Sequence, residues 1–359
     1  MIRVATFEIE YEQFLDTSGQ ATQPLPAFAQ DIQTLVSLYE MMTELRAYDA
    51  KAISLQRTGQ MGTYASILGQ EAIGVGIGHA MQADDVYVPY YRDYGVQIMR
   101  GVRFSEIYRY WGGDERGSCF AHNAKDLPIC VPIATQCLHA AGIATAMKIR
   151  QQPQAVVVSI GEGGTSEGDF YEAINVAGAW DLPVVFVINN NQWAISVPAQ
   201  AQTKCQTFAQ KAIAAGIPGI QVDGNDIIAV REVIAQSLTK ARAGGGATLV
   251  EAITYRLPDH TTADDATRYR SAEEVEQAWQ REPLLRLRHY LTAQGAWDNE
   301  RETALAARCA EKVNAEVAAY KATPPEPPEA MIDYLYATLP EALSEQRETI
   351  IEYGVVKHD

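Results

Sequence analysis

Glycines and a carboxylate stand together at the start of the segment from Gly161 to Ser196, GEGGTSEGDFYEAINVAGAWDLPVVFVINNNQWAIS, and amides follow near its end. Gly163 and Gly164 would let the backbone approach a bulky anionic group, while Glu162 places a carboxylate oxygen at the same position. Because a carboxylate repels phosphate, this arrangement requires a cation between the two. Asn191 offers that cation a neutral amide oxygen. Mg²⁺, which combines a few protein oxygens with phosphate oxygens, is the expected ion.

A dinucleotide-binding loop is the rival interpretation of the same glycines. Its G-x-G-x-x-G pattern fails because the last position is Ser166, and because Glu162 lies where a pyrophosphate would have to bind. A glycine turn with only a structural role also remains open when the loop is considered alone. The alternative class is therefore a nucleotide- or phosphate-binding module without catalytic activity.

Short β-branched runs in the middle of the chain must position these residues. The runs are AVVVSI at 155–160, PVVFVI at 183–188, GIQVDG at 219–224 and TLVEAIT at 248–254. Runs that are apolar on both faces and linked by helical stretches are typical of a buried parallel sheet. The predicted fold class is therefore α/β, with a central, mostly parallel sheet flanked by helices on both faces. Ligands bind outside the carboxyl ends of such strands, so both ends of the 161–196 segment should reach one crevice.

Helical periodicity and composition predict the rest of the chain. Apolar residues recur at helical spacing after Asp31, which should cap a long helix, and a second long helix should run from Asp226 to Arg242. A Pro-rich stretch, TPPEPPEA, should precede a last helix around Met331 to Tyr336. The predicted division is an N-terminal arm at 1–30 with little core, an α/β domain at 31–323, and a Pro-rich spacer with a C-terminal helix at 324–359.

Composition restricts the class of protein. The chain has 359 residues, of which 47% are hydrophobic and 21% charged, enough for a sizeable core. Its net charge of −16 repels nucleic-acid backbones, so DNA and RNA are not expected partners. No apolar run approaches the ~18 residues of a membrane span, and the first residues are unlike a signal peptide. Five cysteines without a Cys-x-x-Cys pair fit a reducing cytoplasm.

Several segments in the same order resemble one known family. The 161–196 segment resembles the thiamine-diphosphate motif, and most of the chain is similar to alpha subunits of the decarboxylating first component of 2-oxo acid dehydrogenase complexes. The other segments that carry the resemblance are LRAYDAKAISLQRTGQMGTYA, GQEAIGVGIG, the pair Tyr91-Arg92, IATQCLHAAGIATAMK, AAGIPGIQVDG and YRLPDHTTADDATRYRS. The resemblance implies a thiamine-diphosphate-binding fold.

The resemblance also assigns cofactor and metal ligands. It implies that Glu162, Asn191 and the backbone carbonyl of Trp193 hold Mg²⁺, which binds the diphosphate of thiamine diphosphate. Many relatives have Asp at the position of Glu162, and branched-chain relatives can have Glu; both supply a carboxylate oxygen. Tyr91 and Arg92 are expected to meet the phosphates, a task that suits a guanidinium group.

Two histidines and a strip of backbone complete the implied site. The expected lining residues are Val131 and Ile133, whose backbone would meet the aminopyrimidine ring, together with Gly163 and Gly164. A histidine in a polar loop is usually a bystander. In the family, however, the loop LPDHTTADD borders the active site, so His260 is expected to approach the diphosphate and to relay protons. His122, in GSCFAHNAKD, is the second catalytic candidate.

The implied reaction is oxidative decarboxylation of a 2-oxo acid, followed by reductive acylation of a lipoyl domain. The chain should act only with a beta subunit, in an alpha2beta2 heterotetramer that works with the core of the acyltransferase component. Pyruvate is the favoured substrate; branched-chain 2-oxo acids and acetoin are the alternatives, and a catalytically inactive regulatory relative is disfavoured by the intact site residues. Gly74 and Gly78 would suit close helix packing at a subunit interface.

Overall fold

The computed structural model describes residues 1–121 and 125–353. The strands are β1 Glu10–Glu12, β2 Val86–Val88, β3 Val156–Gly161, β4 Val184–Asn190, β5 Trp193–Ala194, β6 Val197–Pro198, β7 Gly219–Asp223 and β8 Thr248–Ile253. The helices are α1 Ile32–Arg57, α2 Glu71–Ala80, α3 Tyr94–Met99, α4 Phe104–Trp111, α5 Thr135–Ile149, α6 Gly168–Ala179, α7 Ala199–Gln202, α8 Lys211–Ala215, α9 Ile227–Arg242, α10 Ala272–Trp279, α11 Pro283–Ala293, α12 Asn299–Lys321, α13 Ala330–Asp333 and α14 Ser344–Tyr353.

Six strands of the described chain form one parallel sheet in the order β1-β7-β8-β4-β3-β2. The four strands predicted from β-branched runs are all present, as β3, β4, β7 and β8. Strands β3 and β4 are neighbours, and their register sets Gly161 opposite Asn189. The segments that follow these two strands therefore leave the sheet side by side.

Helices cover both faces of the sheet, as predicted. Alternate residues of β3 point to opposite faces: Val157 packs with the cluster that includes α1, α2 and α9, whereas Val156 and Val158 pack with the cluster that includes α5, α6 and α8. Both sets are fully buried, which explains why the strands read as continuous apolar runs. Among residues 1–121 and 125–353, none of the helices combines the length and the apolar composition needed to cross a bilayer.

The predicted helix starts follow their capping residues. The Asp31 carboxylate accepts the backbone N–H of Gln33 at the start of α1, and the Asp226 carboxylate accepts those of Ile228 and Ala229 at the start of α9. These carboxylates satisfy N–H groups that have no partner within the first turn of a helix. Local sequence therefore sets both boundaries.

The glycines of α2 pack inside the chain, so their predicted role at a subunit interface is wrong. A Cβ at Gly74 would lie 2.6 Å from Oδ1 of Asp93, and one at Gly78 would collide with the side chain of Met99. Met99 belongs to α3, and Asp93 precedes that helix. Small residues are needed here because α2 and α3 approach closely within one subunit.

The end of the N-terminal arm belongs to the core, which corrects the expectation of little core before residue 31. Strand β1 pairs with β7 at the edge of the sheet. Phe14 and Leu15 are buried, and their backbone N–H groups each donate to Oδ2 of Asp226 at 2.7 Å. The alternating apolar positions of FEIEYEQF predict an extended segment, but they carry no information about the distant strand and carboxylate that bring it into the core.

The C-terminal segment also differs from expectation. Only Ala330–Asp333 is helical within the stretch predicted as the last helix, and the next long helix is α14. Tyr334, Leu335 and Tyr336 lie between them and are exposed. The proposed boundary at 323–324 remains a prediction.

Candidate active site

A cavity of about 500 Å³ opens at the carboxyl edge of the sheet, where β2, β3, β4 and β8 end. All predicted site residues in the described part of the chain line it: Tyr91, Arg92, Val131, Ile133, Glu162, Gly163, Gly164, Asn191, Trp193 and His260. His122 lies outside the described residues. The residues predicted from the rule that ligands bind at carboxyl strand ends therefore lie together around one cavity, and their roles remain predictions.

Glu162 and Asn191 are adjacent because each follows one of two paired strands. Glu162 begins the 3-10 turn Glu162–Ser166 directly after β3, and Asn191 directly follows β4. The Asn191 backbone N–H donates to Oε2 of Glu162 at 3.3 Å. The Asn191 side chain donates from Nδ2 to Oε1 of Gln70 at 3.2 Å and accepts the Trp193 N–H at 3.3 Å on Oδ1. The amide oxygen keeps a second lone pair for another ligand.

The buried carboxylate of Glu162 has no cationic partner in the described part of the chain. It is 1% exposed, and burial raises its pKa. Its partners are neutral amides, the Asn191 N–H and Nε2 of Gln202, the latter at 3.4 Å. Oε1 of Gln202 lacks a hydrogen-bond partner among the described residues. A bound cation would neutralise the carboxylate, so the donor chemistry fits a hard ion.

The possible metal ligands form a set of oxygens with one acid. Within residues 1–121 and 125–353, no group of three or more His, Cys, Asp and Glu side chains could hold a metal ion. The backbone carbonyl of Trp193 accepts a hydrogen bond from Arg256 Nη1 at 3.1 Å and retains a second lone pair. One carboxylate with two neutral oxygens would leave half of an octahedral Mg²⁺ coordination sphere to oxygens of its ligand and of water.

The glycines of the turn are required by the packing around them, as well as by the need for the backbone to approach a bound anionic group. A Cβ at Gly163 would lie 2.5 Å from Cβ of Ala194, and one at Gly164 would lie 2.7 Å from Cγ1 of Ile160. Both distances are shorter than real Cβ contacts, so any side chain would push the turn away from β3 and β5. At Gly163 and Gly164 the turn thus presents backbone to the cavity, beside the carboxylate of Glu162.

Two buried guanidinium groups give the cavity a local positive potential. Arg92 donates from Nη1 to the Ser66 carbonyl at 2.6 Å and from Nη2 to the His260 carbonyl at 2.7 Å. Arg256 donates from Nη2 to the Ile195 carbonyl at 2.8 Å. Neither guanidinium forms an ion pair with a carboxylate among the described residues. Buried charges are normally paired, so this pair of cations favours an anionic ligand.

Sequence reasoning missed Arg256. It follows β8 almost directly and is fully buried, beneath the residues that line the cavity. Its position, just after a predicted buried strand and four residues before His260, was the available signal. Tyr91 was predicted, and its ring lies 5.4 Å from the Arg92 guanidinium carbon.

His260 is held as a neutral imidazole. Its Nδ1 lies 3.2 Å from Nη2 of Arg92 and 3.3 Å from Nη1 of Arg256. Because guanidinium groups only donate hydrogen bonds, Nδ1 must accept, and we assign the ring proton to Nε2. Burial and the two arginines lower the pKa of His260 to about 3, against the opposing charge of Asp264.

This lowered pKa predicts acid sensitivity. An unfolded chain protonates His260 near its ordinary pKa of 6.5, whereas the folded protein does so only near 3, so stability falls as pH decreases from 6.5 towards 3. Because the ring is partly exposed, we expect a cost of about 1 kcal/mol between pH 7 and pH 5. Burial raises the pKa values of Asp49 and Asp226 to about 6, which adds stability over the same range, so the loss must be measured as a difference between two proteins. Between pH 7 and pH 5, urea denaturation of the unliganded proteins should show His260→Asn gaining about 1 kcal/mol relative to wild type. The same change in both proteins would refute the assignment.

The fold and the cavity place the chain in a class. A parallel α/β sheet with oxygen ligands and cationic groups at its carboxyl edge is the architecture predicted for the thiamine-diphosphate-binding fold. The model of the family described as "Dehydrogenase E1 component" matches residues 39–329. The chain belongs to this dehydrogenase E1 component family, and family membership implies thiamine diphosphate as cofactor and a beta subunit as partner.

Curated relatives confirm the predicted resemblance to alpha subunits of 2-oxo acid dehydrogenases. The chain is 42% identical to the 3-methyl-2-oxobutanoate dehydrogenase subunit alpha of Mycobacterium tuberculosis, over 89% of this chain and 87% of the relative. It is 38% identical to the pyruvate dehydrogenase E1 component subunit alpha of Staphylococcus aureus and 37% identical to that of Staphylococcus epidermidis, in both cases over 95% of this chain and 92% of the relative. The chain is therefore a component of an oxidoreductase.

Proposed function

We propose that this chain binds thiamine diphosphate through Mg²⁺ and, as the alpha subunit of a pyruvate dehydrogenase, takes part in oxidative decarboxylation and in acylation of a lipoyl group. The observation that carries the proposal is that four strand ends bring Glu162, Asn191, Arg92 and His260 to one cavity. Glu162, Asn191 and the Trp193 carbonyl would hold the metal ion. When bound, the cofactor supplies an electron sink for the carbanion left by loss of carbon dioxide.

The residues of this chain would bind and orient the cofactor, and His260 would act on the reacting group. Arg92 and the turn Glu162–Ser166 would bind the diphosphate and its metal ion. The backbone at Val131 and Ile133 would meet the aminopyrimidine ring. His260 carries a proton on Nε2, and its ring lines the cavity, so it can donate a hydrogen bond from Nε2 to negative charge that develops on the reacting group. Arg92 and Arg256 hold the ring in this tautomer.

The rim of the cavity supports a partner subunit. Val131, Ile133 and Ile195 line the cavity and are 47–56% exposed. A cluster of exposed apolar side chains beside an open site is typical of an interface. We infer that a beta subunit covers this rim in an alpha2beta2 heterotetramer, which then acylates the lipoyl domain of the acyltransferase component.

Binding of the cofactor is the first test. Calorimetric titration of the assembled alpha–beta enzyme with thiamine diphosphate should show binding that requires Mg²⁺ and disappears with a chelator. Binding that persists in chelator would contradict the metal assignment. Binding of ATP or NAD in place of thiamine diphosphate would instead support the phosphate-binding alternative.

The substrate is the second test. Pyruvate dehydrogenase alpha subunits from two Staphylococcus species match the chain over 95% of its length, whereas the 42% identity of the Mycobacterium tuberculosis relative and the presence of Glu162 favour 3-methyl-2-oxobutanoate as the second candidate. One methylene group in an apolar pocket changes selectivity by only ~1–3 kcal/mol. We expect the kcat/KM of the assembled enzyme to be larger for pyruvate than for 3-methyl-2-oxobutanoate. The opposite result would identify 3-methyl-2-oxobutanoate as the substrate.

A further inference from the structure

A lysine is buried beneath the metal-binding turn without an acidic partner. Lys211 begins α8 and is 4% exposed. Its ammonium group donates to the backbone carbonyl of Thr165 at 2.7 Å and to Oγ1 of Thr165 at 2.8 Å. No carboxylate among the described residues forms an ion pair with it. A buried ammonium is costly, so its retention indicates a specific task.

Aromatic rings compensate part of this cost. The Lys211 ammonium nitrogen lies 4.9 Å from the ring centre of Tyr171 and 5.5 Å from that of Phe208. A cation near aromatic faces is stabilised most where water is excluded. The rings and the two oxygens of Thr165 therefore hold the ammonium in one position.

Thr165 transmits this position to Glu162. Thr165 lies in the turn Glu162–Ser166 and is fully buried. Its hydroxyl donates to the backbone carbonyl of Glu162 at 2.6 Å. Because the ammonium of Lys211 can only donate hydrogen bonds, Oγ1 of Thr165 accepts a hydrogen bond from the lysine. The hydroxyl therefore uses its own hydrogen to donate to the Glu162 carbonyl. One chain of hydrogen bonds thus links α8 to the residue proposed to bind the metal ion.

We propose that Lys211 is a positioning residue that holds the turn Glu162–Ser166 ready to bind the cofactor. The inference rests on the proposed function, since the turn matters only if Glu162 binds the metal ion of the diphosphate. Without the lysine, the turn would keep its glycines and its carboxylate but would sample more conformations. Binding would then have to order the turn, which weakens affinity without changing the reacting groups.

Cofactor affinity tests this role in the assembled alpha–beta enzyme. Lys211→Met fills a similar volume without charge, and we expect it to raise the Kd for thiamine diphosphate, titrated calorimetrically with Mg²⁺, at least tenfold. The kcat at saturating cofactor should stay within about twofold of wild type. Lys204→Met is the matched control, because Lys204 is exposed in the same segment, and its Kd should not change.

Hydrogen exchange provides a readout that does not depend on activity. In the cofactor-free enzyme, Lys211→Met should accelerate amide exchange at residues 162–166 while exchange in α6 is unchanged. A fall in melting temperature with unchanged Kd and unchanged exchange in the turn would show a merely structural lysine and overturn the proposal. If wild-type enzyme fails to bind the cofactor, the proposed function fails instead.

A second variant keeps the proposal falsifiable if Lys211→Met does not fold. Thr165→Val removes the hydroxyl that links the lysine to Glu162 but preserves the shape of the side chain. We expect its Kd for the cofactor, titrated with Mg²⁺ as before, to rise at least threefold. An unchanged Kd would show that the Thr165 hydroxyl does not couple Lys211 to Glu162, and it would overturn the proposal.

Discussion

Glu162→Gln is expected to weaken Mg²⁺-dependent binding of thiamine diphosphate at least a hundredfold, about 2.7 kcal/mol. The substitution keeps the shape of the side chain and one acceptor oxygen for the Asn191 N–H, and its new amide N–H can donate to Oε1 of Gln202 once that amide flips, but it removes the single negative charge offered to the metal ion. Because the other proposed ligands, Asn191 and the Trp193 carbonyl, are neutral, no remaining side chain of the set can replace that charge. Titration calorimetry of the assembled enzyme with cofactor and Mg²⁺ measures the change.

The same substitution should stabilise the cofactor-free enzyme. Burial raises the pKa of Glu162, so the folded state binds a proton more tightly than the unfolded state, and stability is lost as pH rises above the ordinary carboxyl range. At neutral pH the ionised group is buried with hydrogen bonds from neutral amides only, and the charge of Arg256 offsets just part of the cost of burial. Glutamine removes this penalty, and we expect a gain of about 1–2 kcal/mol in the free energy of unfolding.

Opposite signs for binding and stability distinguish a ligand residue from a structural one. Glu311→Gln, on the exposed surface of α12, makes the same change of charge and should alter neither quantity. A structural role for Glu162 would instead give lower stability in the cofactor-free enzyme. Unchanged cofactor affinity in Glu162→Gln would remove Glu162 from the site.

The positions of Glu162 and Asn191 could be predicted because they depend on local pattern and one topological rule. Apolar runs identified β3 and β4, and parallel strands bring their carboxyl ends to one edge. Because β3 and β4 are neighbours, and Glu162 and Asn191 directly follow them, the two residues have few other ways to be placed. The pairing of Glu162 with Asn191 therefore followed without knowledge of any long-range contact.

The electrostatics of the site could not be predicted in the same way. The net charge of −16 argues against anionic partners, yet the cavity is bordered by Arg92 and underlain by Arg256. Arg92 meets His260 across 168 positions of the chain, and Lys211 meets Thr165 across 46. Periodicity and spacing carry no information about such contacts, because they depend on how strands and helices pack.

Predictions from local composition were wrong where tertiary packing determines which surfaces a segment contacts. Gly74 and Gly78 were predicted to face another subunit, but α3 of the same chain occupies that surface. Small residues indicate that something approaches closely, not what approaches. The arm ending at Leu15 shows the converse, since the buried carboxylate of Asp226 draws a polar, weakly patterned segment into the core.

His260→Ala is expected to slow reductive acylation of the lipoyl domain by about 100- to 1000-fold, the usual loss when one hydrogen-bond donor to developing negative charge is removed. Cofactor affinity should fall less than fivefold, because Arg92 and the metal ligands remain.

His260→Asn is the more informative variant: its amide oxygen can replace Nδ1 as acceptor for Arg92 and Arg256, while nothing replaces the Nε2 proton. It should therefore match alanine in rate but stay closer to wild type in affinity. Mass-spectrometric rates of lipoyl acylation at saturating cofactor, with Kd from calorimetry, separate the two effects. Unchanged acylation in both variants would leave His260 with no part in stabilising the reacting group.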